Sequence, residues 1–222
     1  MVNNNLINQI RSRARVADHG EVFTALREVN NMLDLVQQET ERIDSRFLEP
    51  ACGGGVFLIE VLRRKLEQVV KKYKRSQNEY IKYSIIAISS IYGIDILEDN
   101  VKECRENLFN IYKEFYEITF KEPIKEKITE NVRFLLSKNI IHGDALTLKT
   151  VDKNPRKIVF SEWSHVNSTK IKRRDYTLAE LLNNAPMEDR NLFSDIHDEV
   201  FIPKPIKEYP LVHYLNIGDL DA

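Results

Sequence analysis

The sequence predicts an α/β fold with a mostly parallel sheet, and two observations support this. Short apolar segments typical of strands alternate with longer segments of helical periodicity. Glycine is scarce, with 7 in 222 residues; three are consecutive, and two others stand beside an aspartate at the end of an apolar run. Because scarce glycines tend to occupy positions that the backbone geometry requires, this distribution indicates a ligand site built from strand ends.

Composition limits the function classes that remain open. The chain has 33 Lys and Arg against 34 Asp and Glu, so its net charge of -1 excludes a uniformly basic nucleic-acid coat and leaves only a local patch for such contact. No apolar segment approaches the roughly 20 residues of a membrane span, and the N-terminus lacks a signal-peptide pattern. Two cysteines fit a reducing cytoplasm, and with five scattered histidines they predict no metal site.

The first half of the chain contains the first strand and its glycine loop. Residues 21–38 carry apolar side chains at helical spacing and predict an amphipathic helix. Residues 46–49 resemble a strand that ends at a proline. Residues 53–55 are the three glycines, and the segment from 56 begins a helix that turns basic over 63–75. This order is strand, glycine turn and helix.

Further strands alternate with helices in the second half. Residues 85–94 predict a helix end and a buried strand that closes at Asp95, and residues 98–118 predict the next helix. A third strand at 139–142 ends at Gly143 and Asp144, and residues 157–160 predict a fourth strand of the same sheet. Later, residues 177–183 predict a short helix with Thr177 as its cap, and prolines indicate extended chain beyond it.

The expected organisation therefore has three parts. Residues 1–45 form an N-terminal helical segment, residues 46–165 form the α/β core, and residues 166–222 form a C-terminal extension of uncertain fold. Neither an internal repeat nor a low-complexity segment interrupts this order.

Three strand ends carry residues suited to an adenosine-bearing cofactor. Ligands of open α/β sheets bind outside the carboxyl ends of the strands. The loop 49–55 lets backbone amides approach a ligand, and the helix that follows favours a carboxylate or phosphate. Asp95 is suited to accept hydrogen bonds from ribose hydroxyls, and Asp144 from an amino group of a base. The dinucleotide fingerprint is disfavoured, because a third glycine is missing and the acid comes too late.

These motifs resemble those of a known family. The loop E-P-A-C-G-G-G-V-F at 49–57 closely resembles the S-adenosylmethionine (SAM) binding loop of adenine-specific DNA methyltransferases from bacterial restriction–modification systems. Residues 15–24 resemble that group's N-terminal cofactor motif, 91–95 its second motif and 140–146 its third. The resemblance covers about residues 15–160 and implies a Rossmann-like SAM-dependent methyltransferase fold. About 60 residues remain after the fourth strand, so the sheet is expected to be incomplete at its C-terminal end.

The resemblance implies methyl transfer from SAM to the exocyclic amino group of adenine in DNA, with the target base flipped out of the helix. It also implies a set of cofactor-binding residues that lie in these motifs: His19, Glu21, Phe23, Thr24, Glu49, Pro50, Ala51, Cys52, Gly53, Gly55, Phe57, Asp95, Ile96, Asp144 and Ala145. For Cys52, packing is the expected role rather than nucleophilic attack, because no base lies beside it in sequence.

The chain departs from the family where the target base should bind. The family motif is a polar residue, two prolines and an aromatic residue, whereas this chain has Ser161, Glu162 and Trp163. We expect Trp163 to supply the stacking ring and Ser161 or Glu162 the hydrogen-bond acceptor. The basic segment that follows predicts DNA contacts from four cations: Lys170, Lys172, Arg173 and Arg174.

Several alternatives stay open at this point. The first is a SAM-binding subunit without catalysis, serving in a defence assembly, and the second is an RNA or protein acceptor. A partner subunit that supplies target recognition is compatible with the short C-terminal part. The basic stretch 63–75 is either a solvated helix face or a DNA contact.

Overall fold

A computed structural model of the chain describes residues 24–166, 169–182 and 203–221. The secondary structure of these residues consists of helices and two sheets. Their elements, in chain order, are α1 (Leu26–Asp34), α2 (Gln37–Glu41), β1 (Phe47–Glu49), α3 (Val56–Tyr73), α4 (Gln77–Ser89), β2 (Ile91–Asp95), α5 (Glu98–Phe120), α6 (Glu126–Asn139), β3 (Ile140–Asp144), β4 (Lys149–Thr150), β5 (Val159–His165), β6 (Lys170–Thr177), α7 (Leu178–Leu182), β7 (Lys207–Glu208), β8 (Val212–His213) and a 3₁₀ helix (Tyr214–Asp221).

The first sheet has the strand order β1-β2-β3-β4. Strands β1, β2 and β3 are parallel, with Glu49 opposite Gly93 and Asp95 opposite His142, whereas β4 pairs antiparallel with β3. Helices connect the parallel strands, as parallel pairing requires. The prediction of an α/β fold with a mostly parallel sheet is therefore confirmed. The same register brings the carboxyl ends of β1, β2 and β3 to one edge.

The helices form the core by burying one apolar face. Helix α3 buries a stripe that includes Leu58, Leu62 and Leu66, and it contacts α4, α5 and the two short helices α1 and α2. The single helix expected over 21–38 is divided within its described part, because α1 ends at Asp34 and α2 begins at Gln37. Helix α6 was not anticipated from the sequence, although its buried residues also follow helical spacing.

The strand expected as the fourth of the parallel sheet belongs to a second, antiparallel sheet instead. Residues 157–160 do not extend the parallel sheet; β5 begins at Val159 and pairs antiparallel with β6, from Val159 opposite Thr177 to His165 opposite Ile171. The basic segment at 170–174 is therefore strand, with alternate residues buried. The predicted boundary between the core and the C-terminal extension, at residue 165, therefore lies between two paired strands, with β5 before it and β6 after it.

The last described residues pack back onto helix α6. Asn131 donates a hydrogen bond from Nδ2 to the Leu215 carbonyl and accepts one from the Gly218 amide at 2.8 Å. The predicted cap of the short helix α7 is confirmed, since Thr177 Oγ1 accepts a hydrogen bond from the Glu180 amide. Across the described ranges, none of the helices is both long enough and apolar enough to span a bilayer.

Candidate functional site

A cavity of about 570 Å³ lies at the carboxyl ends of β1, β2 and β3. It brings together eleven of the residues that the family resemblance implied, which are Thr24, Glu49, Pro50, Ala51, Cys52, Gly53, Phe57, Asp95, Ile96, Asp144 and Ala145. His19, Glu21 and Phe23 lie outside the described residues. Its volume falls in the range of cofactor and ligand sites, roughly 300–1,000 Å³.

The glycine loop has a conformation that glycine adopts most readily. Gly53 has φ 51° and Gly55 has φ 92°, both in the left-handed region. A Cβ on Gly55 would lie 2.8 Å from Cys104 Sγ, so Gly55 is held against helix α5 and does not line the cavity. The Cys104 thiol, together with burial, raises the pKa of Cys52, which supports packing as its role.

Helix α5 supports the loop from behind. Asn107 Nδ2 donates a hydrogen bond of 2.9 Å to the Gly54 carbonyl. A Cβ on Gly54 would lie 3.1 Å from the Glu103 carboxyl carbon. Sequence reasoning missed these supporting residues, because Glu103, Cys104 and Asn107 lie about 50 positions from the loop and share only a helical face with one another.

The loop amides do not face the cavity in the way the sequence led us to expect. Gly53 donates to Asp95 Oδ2, Cys52 to the Ile94 carbonyl and Gly55 to the Cys52 carbonyl, each at 2.8–2.9 Å. The donors that remain are the Gly54 amide and those of the first turn of α3. Its first backbone hydrogen bond runs from Ile59 to Gly55, and Gly55 provides no side-chain cap. An anionic group is therefore best placed at the N-terminus of α3.

Asp95 connects the ends of β1 and β2. Its Oδ2 accepts from Gly53, and its Oδ1 accepts from the Leu97 amide at 2.9 Å and from Asn100 Nδ2 at 3.2 Å. A carboxylate offers about four acceptor positions, so about one remains for a ribose hydroxyl. Asn100 was not anticipated as a cavity residue; it is buried and positions the Asp95 carboxylate.

Asp144 shapes the opposite wall of the cavity. It accepts hydrogen bonds from the Leu146 amide at 2.8 Å and from Thr147 Oγ1 at 2.9 Å, and these bonds hold the pKa of Asp144 below its usual value. Leu146 and Ile96 also line the cavity and present exposed apolar side chains. Such surfaces are suited to the flat face of a base.

Glu49 is the third carboxylate of the cavity. Partial burial raises its pKa, although a weak hydrogen bond from the Ala51 amide opposes this effect. A positively charged group placed beside it would stabilise the ionised form.

The residues expected at the target base lie elsewhere. Ser161 Oγ donates to Asp175, and the Trp163 ring is 6% exposed, with Nε1 donating to Asn139 Oδ1 at 3.1 Å. Glu162 accepts hydrogen bonds from Arg46 and Arg174. The reason is the direction of β5, which pairs in the second sheet and does not end at the edge that carries the cofactor cavity. A ring buried in this way is not available for stacking on an incoming base.

The cations expected to contact DNA pair with carboxylates of their own chain. Arg173 is 3% exposed and lies 2.8 Å from both Asp175 and Asp221. Lys172 pairs with Glu208 at 2.5 Å, and Arg174 pairs with Glu162 and Glu208. Lys170 forms the edge pair of β6 with β8. The charge of this segment is therefore largely compensated within the fold.

The fold and the cavity together define an α/β protein with a cavity at the carboxyl edge of its parallel sheet, the place where open α/β sheets bind ligands. Residues 32–138, just under half of the chain, match the family model described as "RMKL-like, methyltransferase domain". The matched segment contains the glycine loop and strands β1 and β2. The match supports a methyltransferase, an enzyme class that generally uses SAM. Comparisons with curated proteins and with solved structures give no match.

Proposed function

We propose that the protein is a SAM-dependent methyltransferase of restriction–modification type that acts on the exocyclic amino group of adenine in DNA. The observation that carries this proposal is the cavity that joins the glycine loop, Asp95 and Asp144 at three adjacent strand ends. The family match supports the methyltransferase part. Support for adenine as the acceptor and for DNA as the substrate comes from the four sequence motifs, whose residues and order resemble those of adenine-specific DNA methyltransferases.

The residues of the cavity fit the parts of SAM. The N-terminus of α3 suits the cofactor carboxylate, and Glu49 suits its ammonium group. Asp95 retains an acceptor position that suits a ribose hydroxyl, and we assign to Asp144 and Leu146, which line the same cavity, a polar and an apolar contact with the adenine ring. Bound SAM supplies an electrophilic methyl group, and the protein's task is to hold it and to orient the acceptor.

A second candidate function is a SAM-binding subunit without catalysis, working in a defence assembly. One observation favours it: Ser161, Glu162 and Trp163 are engaged in the second sheet, and none of them lines the cofactor cavity. Under this alternative, a partner subunit supplies the groups that hold the target base.

Two measurements on the full chain separate these functions. Calorimetry with SAM tests the cofactor site, and transfer of labelled methyl groups from SAM to mixed-sequence DNA tests catalysis. Methylated adenine in the hydrolysed DNA supports the first function. SAM binding without transfer supports the second, and the absence of SAM binding contradicts both. An equal amount of RNA added as competitor shows which nucleic acid is the acceptor.

A further inference from the structure

Five cations cluster where helix α3 ends and helix α4 begins. We name this surface the α3–α4 corner, and it consists of Lys71, Lys72, Lys74, Arg75 and Lys82. Lys82 is half-buried and the other four are exposed. Within the described ranges, none of the five pairs with a carboxylate. The same stretch of chain contributes only Glu67 and Glu79 as acids.

The cations of the corner differ from those of the basic strand at 170–174 in their pairing with carboxylates. There, Lys172, Arg173 and Arg174 are each matched by a carboxylate. In the corner, the charges repel one another, and none of them forms an ion pair with a carboxylate among the residues that the structure describes. The dipole of α3 accounts for Lys71 and Lys72, which lie in its last turn, but not for the cations beyond it. A negatively charged partner would supply the missing compensation.

Aromatic side chains and a second cavity adjoin the corner. The Tyr73 and Tyr83 rings stack with centroids 3.8 Å apart, and Lys82 Nζ lies 5.0 Å from the Tyr83 centroid. A cavity of about 580 Å³ opens beside them, and both Lys72 and Tyr83 belong to its wall. Arg42 and Arg46 also line it, although both already pair with acids. Glu41 and Asp44 line it as well, so the basic character of this region comes from the exposed corner and not from the cavity.

The wall of this second cavity holds an unmatched polar atom. His165 Nε2 is buried and has no hydrogen-bond partner among the residues that the structure describes. Burial, reinforced by the charge of Lys82, lowers the pKa of His165 to about 4, so the ring is neutral at pH 7. A buried polar atom without a partner is rare in folded proteins, but its burial keeps it out of reach of a duplex on the surface.

The corner lies far from the cofactor cavity. Helix α3 has 18 residues and starts at the glycine loop, so its two ends are about 27 Å apart. A nucleic-acid duplex covers that distance in about 8 base pairs, since it rises roughly 3.4 Å per pair. A polyanion that reaches both places must therefore be extended, as a nucleic-acid duplex is.

We propose that the α3–α4 corner binds the phosphate backbone of DNA about 27 Å from the cofactor cavity. The proposal rests on the proposed function, because it takes the DNA substrate as the polyanion. The corner anchors the duplex through its phosphates. It contributes affinity without reading sequence.

A double variant tests the corner directly. Lys71→Gln with Lys74→Gln removes two unpaired cations, and Lys113→Gln with Lys127→Gln removes two cations that already pair with acids. Binding of a fluorescent duplex of about 24 base pairs is measured by anisotropy across salt concentrations. We expect the corner variant to bind about tenfold more weakly and its salt slope to fall by about 2. The matched control should stay within about twofold of the wild type.

Duplex length provides the second readout. Wild-type protein should lose affinity when the duplex shrinks to about 6 base pairs, because it then cannot span both places, whereas the corner variant should lose little more. An equal loss of affinity in the two double variants, or an unchanged salt slope in the corner variant, would overturn the proposal. Thermal unfolding confirms that both variants are folded.

Methyl transfer measured on the same samples separates this proposal from the proposed function. If DNA affinity depends on the corner but no methyl group is transferred, the result supports the corner as a DNA-binding surface and counts against catalysis. If wild-type protein transfers methyl groups but the corner variant keeps its DNA affinity, the result supports catalysis and overturns the proposal that the corner binds DNA. Tighter corner-dependent binding of an RNA duplex would assign the surface to RNA instead and overturn the choice of DNA.

Discussion

The cofactor loop and the second sheet are each organised by a buried aspartate, but the two carboxylates have different partners. Asp95 is 7% exposed and accepts only from neutral donors, which are the Gly53 and Leu97 amides and Asn100. Asp175 is 6% exposed and accepts four hydrogen bonds, two of them from the Arg173 guanidinium. The other two come from Ser161 and Tyr209.

The difference separates a structural carboxylate from one that can also bind. Asp175 has no acceptor position left, and its charge is matched by a cation, so its role is confined to the second sheet. Asp95 keeps about one acceptor position and an unmatched charge at the wall of a cavity. Loss of Asp175 should therefore affect stability, whereas loss of Asp95 should affect SAM binding as well.

The largest expected effect comes from Asp175→Ala. The substitution leaves the buried Arg173 with Asp221 alone and deprives Ser161 and Tyr209 of their acceptor. We expect the free energy of unfolding to fall by about 3–5 kcal/mol, the cost of breaking a buried ion pair. Urea denaturation measures it. Glu208→Gln, which affects only partly exposed pairs, serves as the control, with a loss of about 1 kcal/mol or less.

Gly55→Ala should have the next largest effect, and it acts on the loop. Alanine at φ 92° is strained, and its Cβ would lie 2.8 Å from Cys104 Sγ. We expect a loss of stability of about 1–3 kcal/mol together with weaker SAM binding, measured by denaturation and calorimetry. Gly218→Ala is a matched control, because its Cβ meets only Asn131 Oδ1 at 3.4 Å. Equal losses in the two variants would show that the loop carries no special strain.

Asp95→Ala tests whether the first carboxylate binds as well as supports. We expect SAM affinity to fall by about 1–3 kcal/mol, because a ribose hydroxyl and the Gly53 amide both lose their acceptor. Asn100→Ala removes one supporting hydrogen bond and leaves the carboxylate, so its effect on SAM affinity should be smaller. Unchanged SAM affinity in Asp95→Ala, measured by calorimetry on folded protein, would remove Asp95 from the cofactor site.

The same comparison shows which parts of the molecule were predictable. The cavity was predictable, because Asp95 and Asp144 each end an apolar strand and parallel strands bring their carboxyl ends to one edge of the sheet. The positive φ values of Gly53 and Gly55 were also predictable, because glycine adopts this conformation more readily than other residues. In both cases, the information is local in sequence.

The second sheet was not predictable for the opposite reason. Residues 157–160 have the same apolar pattern whether the strand runs parallel to β1 or pairs with β6, so the pattern does not decide the direction. The basic appearance of residues 170–174 likewise does not show that Glu162, Glu208 and Asp221 neutralise them, because these acids come from separate parts of the chain. Such pairings depend on tertiary structure.

Asp221→Asn should have the smallest effect, and its pH dependence locates the charge network at the end of the second sheet. Partial burial acts to raise the pKa of Asp221, but the hydrogen bond from Lys138 and the charge of Arg173 outweigh it and hold the pKa below its usual value. A lowered folded-state pKa stabilises the protein above the unfolded value of about 3.9, and this contribution is lost as pH falls through the folded value.

We therefore expect wild-type protein to exceed Asp221→Asn in unfolding free energy by about 1 kcal/mol or less at pH 7, since the side chain is partly exposed. The difference should shrink steadily below about pH 4. Urea denaturation at a series of pH values measures it. Asp219→Asn, whose partner Lys127 is exposed, should show a smaller difference at pH 7. A wild-type advantage that stays constant down to acid pH would mean that the carboxylate is not ionised in the folded state, which would break the contrast between a charged network around Asp175 and a neutral one around Asp95.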